Sequence, residues 1–168
     1  DQKLAEGALA EARRMDAPVA RLREELDGGY QIARLSPPRR RHLGNLAYYA
    51  VATDQLDLAV RNTRVLSRAA LTLVRERGAA PGPLPEAILG LALAVEALAG
   101  YLEDPEHPLD VRHFALGAVR DATSVLEYDN DLETSMLVGQ IRSTAIDLLQ
   151  AVGMDYTEAL ESVREGSR

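Results

Sequence analysis

The fold is decided by the stretch Ser36–Gly78, which reads SPPRRRHLGNLAYYAVATDQLDLAVRNTRVLSRAALTLVRERG. A serine followed by proline is a common helix start, because the hydroxyl can cap free N–H groups and proline fits the first helical position. After the two prolines only Gly44 interrupts the run before Gly78. The stretch therefore predicts one helix from about Pro37 to Arg77, about 60 Å long at 1.5 Å rise per residue.

The rest of the chain has the same helical character and one clear connector, AAPGPLP at Ala79–Pro85. Apolar residues recur at three- and four-residue spacing, which is typical of helices that bury one face. We expect further helices at about residues 3–15, 16–35, 84–103, 109–128 and 131–152, with a short last one after Asp155. Asp16 is the expected cap of the second, at a point where Pro18 kinks or restarts the helix.

Short loops between long helices favour antiparallel neighbours, so the predicted fold is an all-α antiparallel helical bundle built on the helix at about 37–77. We expect one domain, with residues 1–35 as an N-terminal helical segment and 36–168 as the bundle. The helix at 84–103 is apolar nearly all round and is expected at the centre. Asn130 with Glu133 is expected to cap the helix that follows, and Gly153 to end it.

Composition excludes several classes of function. The net charge of −7 does not favour a nucleic-acid partner. The absence of cysteine removes thiolate nucleophiles and cysteine-ligated zinc. No stretch of 18 uncharged apolar residues occurs, and Ala87–Leu102, interrupted by Glu96, is interpreted as a core helix. Because the sequence begins at Asp1 without methionine, we expect it to be an excised part of a longer protein, with any membrane segments outside it.

The candidate site is a polar seam. Five charged residues follow steps of three and four along the long helix, so they share one stripe: Asp54, Asp57, Arg61, Arg64 and Arg68. Three polar residues form a second stripe on the helix at 131–152, namely Gln140, Ser143 and Asp147. We expect the stripes to face each other, with Arg61 and Arg64 turned inward and neutralised by Asp57 and Asp147. Such a network favours a structural role that sets helix register, and the alternative is an anion pocket around the two arginines.

Metal and catalytic readings have little support in the residue spacing. His107, Asp110 and His113 do not follow a zinc-binding pattern, so no metal or other cofactor is predicted. The acidic tract Glu127–Glu133 precedes a helix, where caps and dipole partners are common. No glycine-rich phosphate loop, G-x-S-x-G or H-E-x-x-H motif occurs, and we therefore predict that the chain is not an enzyme.

Two segments resemble the soluble helical region of the fusaric-acid-resistance/aromatic acid exporter family of membrane proteins. They are LAYYAVATDQLDLAVRNTRVLSR at Leu46–Arg68 and QIRSTAIDLLQAVGMDYTEAL at Gln140–Leu160. The residues that carry the resemblance are Asp54, Asp57, Arg61, Asn62, Arg64, Gln140, Arg142, Ser143 and Asp147.

The resemblance implies a non-enzymatic domain on the cytoplasmic side of the cell membrane, attached to the transmembrane part of an exporter and acting in its assembly or regulation. The alternative is a free-standing regulator resembling PhoU-type helical bundles, which would bind a metal or an anion. We also expect a homodimer or higher homo-oligomer, because a helix of about 60 Å exceeds a compact bundle of this length, whose radius of gyration should be about 15 Å.

Overall fold

The structure is a computed structural model that describes residues 2–36, 43–103 and 108–167. These residues form seven α-helices and no strand, so the all-α bundle is confirmed. The helices are α1 (Gln2–Arg14), α2 (Asp16–Leu35), α3 (Leu43–Arg77), α4 (Leu84–Glu103), α5 (Pro108–Ser124), α6 (Leu132–Ala151) and α7 (Tyr156–Glu165). A 3-10 turn, Val125–Glu127, continues α5.

Helix α3 is the long helix that the sequence predicts. It runs without interruption for 35 residues, which corresponds to about 52 Å. The predicted start at Pro37 lies outside the described residues. The helix ends as expected, because Gly78 adopts a positive φ of 80° and its N–H donates to the Val74 carbonyl at 2.9 Å.

Helix α6, and not α4, is at the centre of the bundle. It packs against α3, α4, α5 and α7, and ten of its residues are buried. The prediction that the helix at 84–103 would be central is wrong, because only one face of α4 is buried, at Leu84, Ala87, Leu91, Ala94 and Leu98. Hydropathy measures how apolar a helix is, whereas burial depends on how many neighbours surround it.

Helices α4 and α5 form a close hairpin on one side of α6. A β-carbon placed on Gly90 would lie only 3.1 Å from the β-carbon of Ala118. Glycine is therefore needed at this crossing, where the two backbones approach each other.

Helices α1 and α2 pack along α3. Their break at Met15 follows from Pro18, which has no N–H to donate to the carbonyl of Arg14 four residues before it. Met15 occupies the cap position of α2 without a side-chain bond. The prediction of Asp16 as the cap is therefore wrong, since its carboxylate accepts a hydrogen bond from Arg64 of α3.

Local capping sets the start of α6 and the link from α6 to α7. Asp131 caps α6 by accepting from the Thr134 N–H at 2.8 Å, one residue later than the predicted Asn130 with Glu133. Gly153 has a φ of 88° after α6. Asp155 then caps α7 by accepting from the Glu158 N–H at 2.9 Å, as expected.

Candidate functional site

The charged stripe of α3 faces α2 and solvent from Asp54 to Arg64, and only Arg68 reaches a groove beside α6. Arg23 Nη2 of α2 lies 2.9 Å from Asp54 Oδ1 and 3.7 Å from Asp57 Oδ2. Arg61 Nη2 lies 3.7 Å from the same Asp57 oxygen, and its side chain is 61% exposed. The pairing of Arg61 with Asp57 is confirmed, but the prediction that Arg61 turns inward is wrong.

Arg64 is also paired differently from the prediction. Its guanidinium binds Asp16, the first residue of α2. Within the described residues no cation lies within 4 Å of Asp147, so the predicted neutralisation of Asp147 by an arginine is wrong. Arg68 is exposed at the rim of a groove of about 250 Å³ between α3 and α6.

A seven-residue repeat along α3 explains why the arginines of the stripe do not face α6. Ala52, Ala59, Leu66 and Leu73 are buried at this spacing and mark the face of α3 that enters the interior. Asn62 lies three residues after Ala59 and four before Leu66, so it belongs to the same face. The charged residues fall on the remaining positions, where Asp54, Asp57 and Arg64 contact α2 and Arg61 and Arg68 stay exposed.

The second stripe does meet α3, but its partner is Asn62. Asn62 Nδ2 lies 2.6 Å from Asp147 Oδ2 and 3.0 Å from Ser143 Oγ. Gln140 belongs to the same stripe, and its Oε1 is buried with no hydrogen-bond partner among the described residues. The polar seam therefore exists, with an amide on α3 where arginines were predicted.

Sequence reasoning missed the role of Asn62, although Asn62 is one of the residues that carry the family resemblance. The signal was present in the repeat of Ala52, Ala59, Leu66 and Leu73, which places Asn62 among buried positions. The pattern of charges drew the prediction to the opposite face, because a charged stripe is more conspicuous than a single amide.

Asp147 is the only ionisable side chain that is buried in the described residues, with 7% of its surface exposed. Burial raises the pKa of its carboxyl group to about 6, because desolvation penalises the charged form, while the hydrogen bond from Asn62 acts in the opposite direction. The carboxyl group is thus held by one amide and has no counter-charge beside it.

The geometry of this cluster suits a structural role. Asp147 is buried and does not line any of the five best-formed cavities in the described part of the chain. Its hydrogen-bond partner is an amide and the next polar group is a hydroxyl, so no base stands beside a nucleophile here. One buried polar contact can instead fix the register of two helices.

Metal ligands do not converge in the described part of the chain, where no group of three or more His, Cys, Asp or Glu residues could hold an ion. His107 lies outside it, so the pair with His113 is not described. In the acidic tract, Asp129 Oδ2 lies 2.6 Å from Arg77 Nη1, and Asp131 contacts the same guanidinium. These carboxylates tie the turn before α6 to the end of α3.

Helix α4 is long and apolar enough to cross a membrane by length and composition alone. It has 20 residues, with a mean hydropathy of 1.4 in its most apolar window. Only 28% of that window is buried in the bundle, so α4 is less enclosed than a central core helix.

Comparison of the chain with protein-family models, curated proteins and solved structures finds no match. The family resemblance of the two segments therefore stays a prediction.

Proposed function

We propose that this chain is a non-enzymatic helical domain of a membrane transport protein, located on the cytoplasmic side and acting in assembly or regulation. The observation that carries the proposal is the outer face of α4. This apolar helix, which alone among the described helices is long and apolar enough to span a membrane, leaves four large aliphatic side chains in solvent. The resemblance to the exporter family supplies the membrane context.

Four aliphatic side chains of α4 are partly exposed: Ile88 at 36%, Leu89 at 61%, Leu93 at 37% and Val95 at 45%. Fully burying one such side chain contributes about 1.5–3 kcal/mol, so covering the exposed fractions contributes about 1 kcal/mol each. A contiguous apolar face on a soluble domain marks a contact surface. A partner that covers α4 would thus gain useful affinity without any chemistry at the site.

The interior supports a scaffold role in place of catalysis. Asp147, the one ionisable group buried among the described residues, is held by Asn62, and the ion pairs of α3 hold α1 and α2 in place. The polar residues that are most suggestive of chemistry are therefore occupied in joining helices.

The second candidate is a free-standing regulator that binds an anion. The observation in its favour is Arg68, which borders an apolar groove and has no carboxylate within 4 Å in the described residues. Inorganic phosphate or benzoate should then raise the melting temperature of the isolated chain, and Arg68→Ala should remove that shift.

The two candidate functions predict different full-length reading frames. The proposed function predicts membrane spans outside this chain and a protein that stays in the membrane fraction after a carbonate wash. Ile88→Ser with Val95→Ser should lower the amount of assembled full-length protein recovered in detergent, while the isolated domain still folds. Leu132→Ser is the matched control, because Leu132 is 70% exposed at the start of α6. A reading frame without spans, or a fully soluble protein, would refute the proposal.

A further inference from the structure

A groove runs between α4 and α5 on the outside of the bundle. Its volume is about 220 Å³, and its apolar lining is Leu89, Gly90, Leu93, Phe114, Gly117 and Ala118. A second concavity of about 430 Å³ continues it toward Gly82 and Pro83 in the loop before α4. Glu86 and Asp121 line both concavities, so the two form one continuous surface.

The groove has the shape of a helix-binding site. Its floor is formed by small residues, namely Gly90, Gly117 and Ala118. Its apolar wall is formed by Leu89, which is 61% exposed, and Leu93, which is 37% exposed. Large apolar side chains of a partner helix can enter such a floor, as in other complexes where a helix lies in a groove.

The charge at the groove is acidic. Glu86 and Asp121 are exposed, and neither has a cationic group within 4 Å in the part of the chain that the structure describes. Helix α4 itself has three glutamates and neither lysine nor arginine. Among the lining residues only His113 can become positively charged. Arg120 of α5 also lies beside the floor, with Nη2 3.7 Å from the position that a β-carbon on Gly117 would take. Glu86 and Asp121 still outnumber this one arginine, and two carboxylates beside an apolar floor favour a partner with basic residues next to its apolar ones.

We propose that the α4–α5 groove binds an amphipathic helix whose apolar face is flanked by lysine or arginine. This inference rests on the proposed function, because both treat the α4 face as a docking surface. Cytoplasmic segments next to membrane spans carry an excess of lysine and arginine, and a basic juxtamembrane helix therefore complements the groove in charge.

Two other occupants fit less well. A second copy would bring the glutamates of one α4 beside those of another. A cytoplasmic lipid surface is negatively charged and would repel Glu86 and Asp121.

The test uses the isolated chain and two labelled synthetic peptides of 18 residues with the same leucine face, one flanked by lysine and the other by glutamate. We expect the lysine peptide to bind at least tenfold more tightly than the glutamate peptide in fluorescence anisotropy at 150 mM salt. Glu86→Lys with Asp121→Lys should reverse this preference. Glu24→Lys with Glu25→Lys on α2 is the control, because it makes the same change in net charge on an exposed face and should retain the preference.

The apolar part of the contact is tested by Leu89→Ser, which should weaken binding of the lysine peptide at least fivefold with an unchanged circular dichroism spectrum. Equal effects of the groove variant and the α2 control would overturn the proposal, since binding would then follow net charge alone. Two further results would also overturn the proposal. If sedimentation shows a dimer that Leu89→Glu dissociates, the occupant is a second copy of this chain. If the chain binds neutral phosphatidylcholine vesicles and Leu89→Ser removes that binding, the occupant is a lipid surface. If the lysine peptide does not bind the chain while the full-length protein stays in the membrane fraction, this inference is rejected and the proposed function is retained.

Discussion

Replacing Asp147 with asparagine should stabilise the protein at neutral pH. The pKa of Asp147 is about 6 in the folded chain against 3.8 for the unperturbed group. Between these values the folded state holds more protons than the unfolded state, so the free energy of unfolding decreases as the pH rises from about 4 to about 6. At pH 7 the buried charge therefore costs about 3 kcal/mol, at 1.36 kcal/mol per pKa unit.

Asparagine keeps an oxygen that can accept from Asn62 and removes the charge that burial penalises. We expect Asp147→Asn to raise the free energy of unfolding by up to about 3 kcal/mol at pH 7 and to leave it nearly unchanged at pH 4. The measurement is urea unfolding at intervals from pH 4 to 8, with the difference between variant and wild type plotted against pH. Asp27→Asn, on the exposed surface of α2, is the matched control and should show a flat difference.

Two results would refute this reasoning. A difference that does not change with pH would show that the carboxyl group titrates normally and is therefore hydrated. A loss of stability in Asp147→Asn at pH 7 would show that the carboxylate has a cationic partner, as the sequence predicted for Arg64.

Three further changes and one measurement test the packing. A double-mutant cycle of Arg64→Ala and Asp16→Ala should give a coupling of about 0.2–1 kcal/mol in urea unfolding, because the pair is partly exposed; a coupling above about 3 kcal/mol would mean that the pair is buried. Gly90→Val should lower stability by about 1–3 kcal/mol, since a β-carbon added at this position would lie 3.1 Å from the β-carbon of Ala118 in α5, and an unchanged melting temperature would contradict the close crossing. Asp155→Ala should cost about 1 kcal/mol through loss of the α7 cap, measured in the same way, whereas Asp155→Ser should retain most of it. Sedimentation at tens of micromolar tests the predicted homodimer, and a single monomeric species would count against it.

Sequence reasoning located the helices because their signals are local. Prolines, glycines and apolar spacing located the end of α3 and both ends of α4 and α6 to within a few residues, and Gly153 with Asp155 fixed the turn into α7. Each of these signals acts on backbone atoms within one helical turn, so it can be read without knowing what packs nearby. The cap of α6 was misplaced by one residue because Asn130 and Asp131 can both serve, and only the geometry selects Asp131.

The candidate site depends on which faces meet, and this the sequence left open. The stripe from Asp54 to Arg68 exists, but its contacts run to α2 through Arg23 and Asp16, while Asn62 takes the place opposite Asp147. A charged stripe next to apolar rows is compatible with packing against α6 or against α2, because the pattern within one helix does not show which helix packs against it.

The order of amino acids was thus enough to predict an all-α chain, most of its helix ends and a polar stripe that includes Ser143 and Asp147. Tertiary structure alone decided that α6 is the central helix, that α4 keeps an apolar face in solvent, and that an amide meets the buried carboxylate. The physical reason is that helix formation depends on contacts three and four residues apart, whereas burial and pairing depend on contacts between residues far apart in the chain, such as Asn62 and Asp147, which are 85 positions apart.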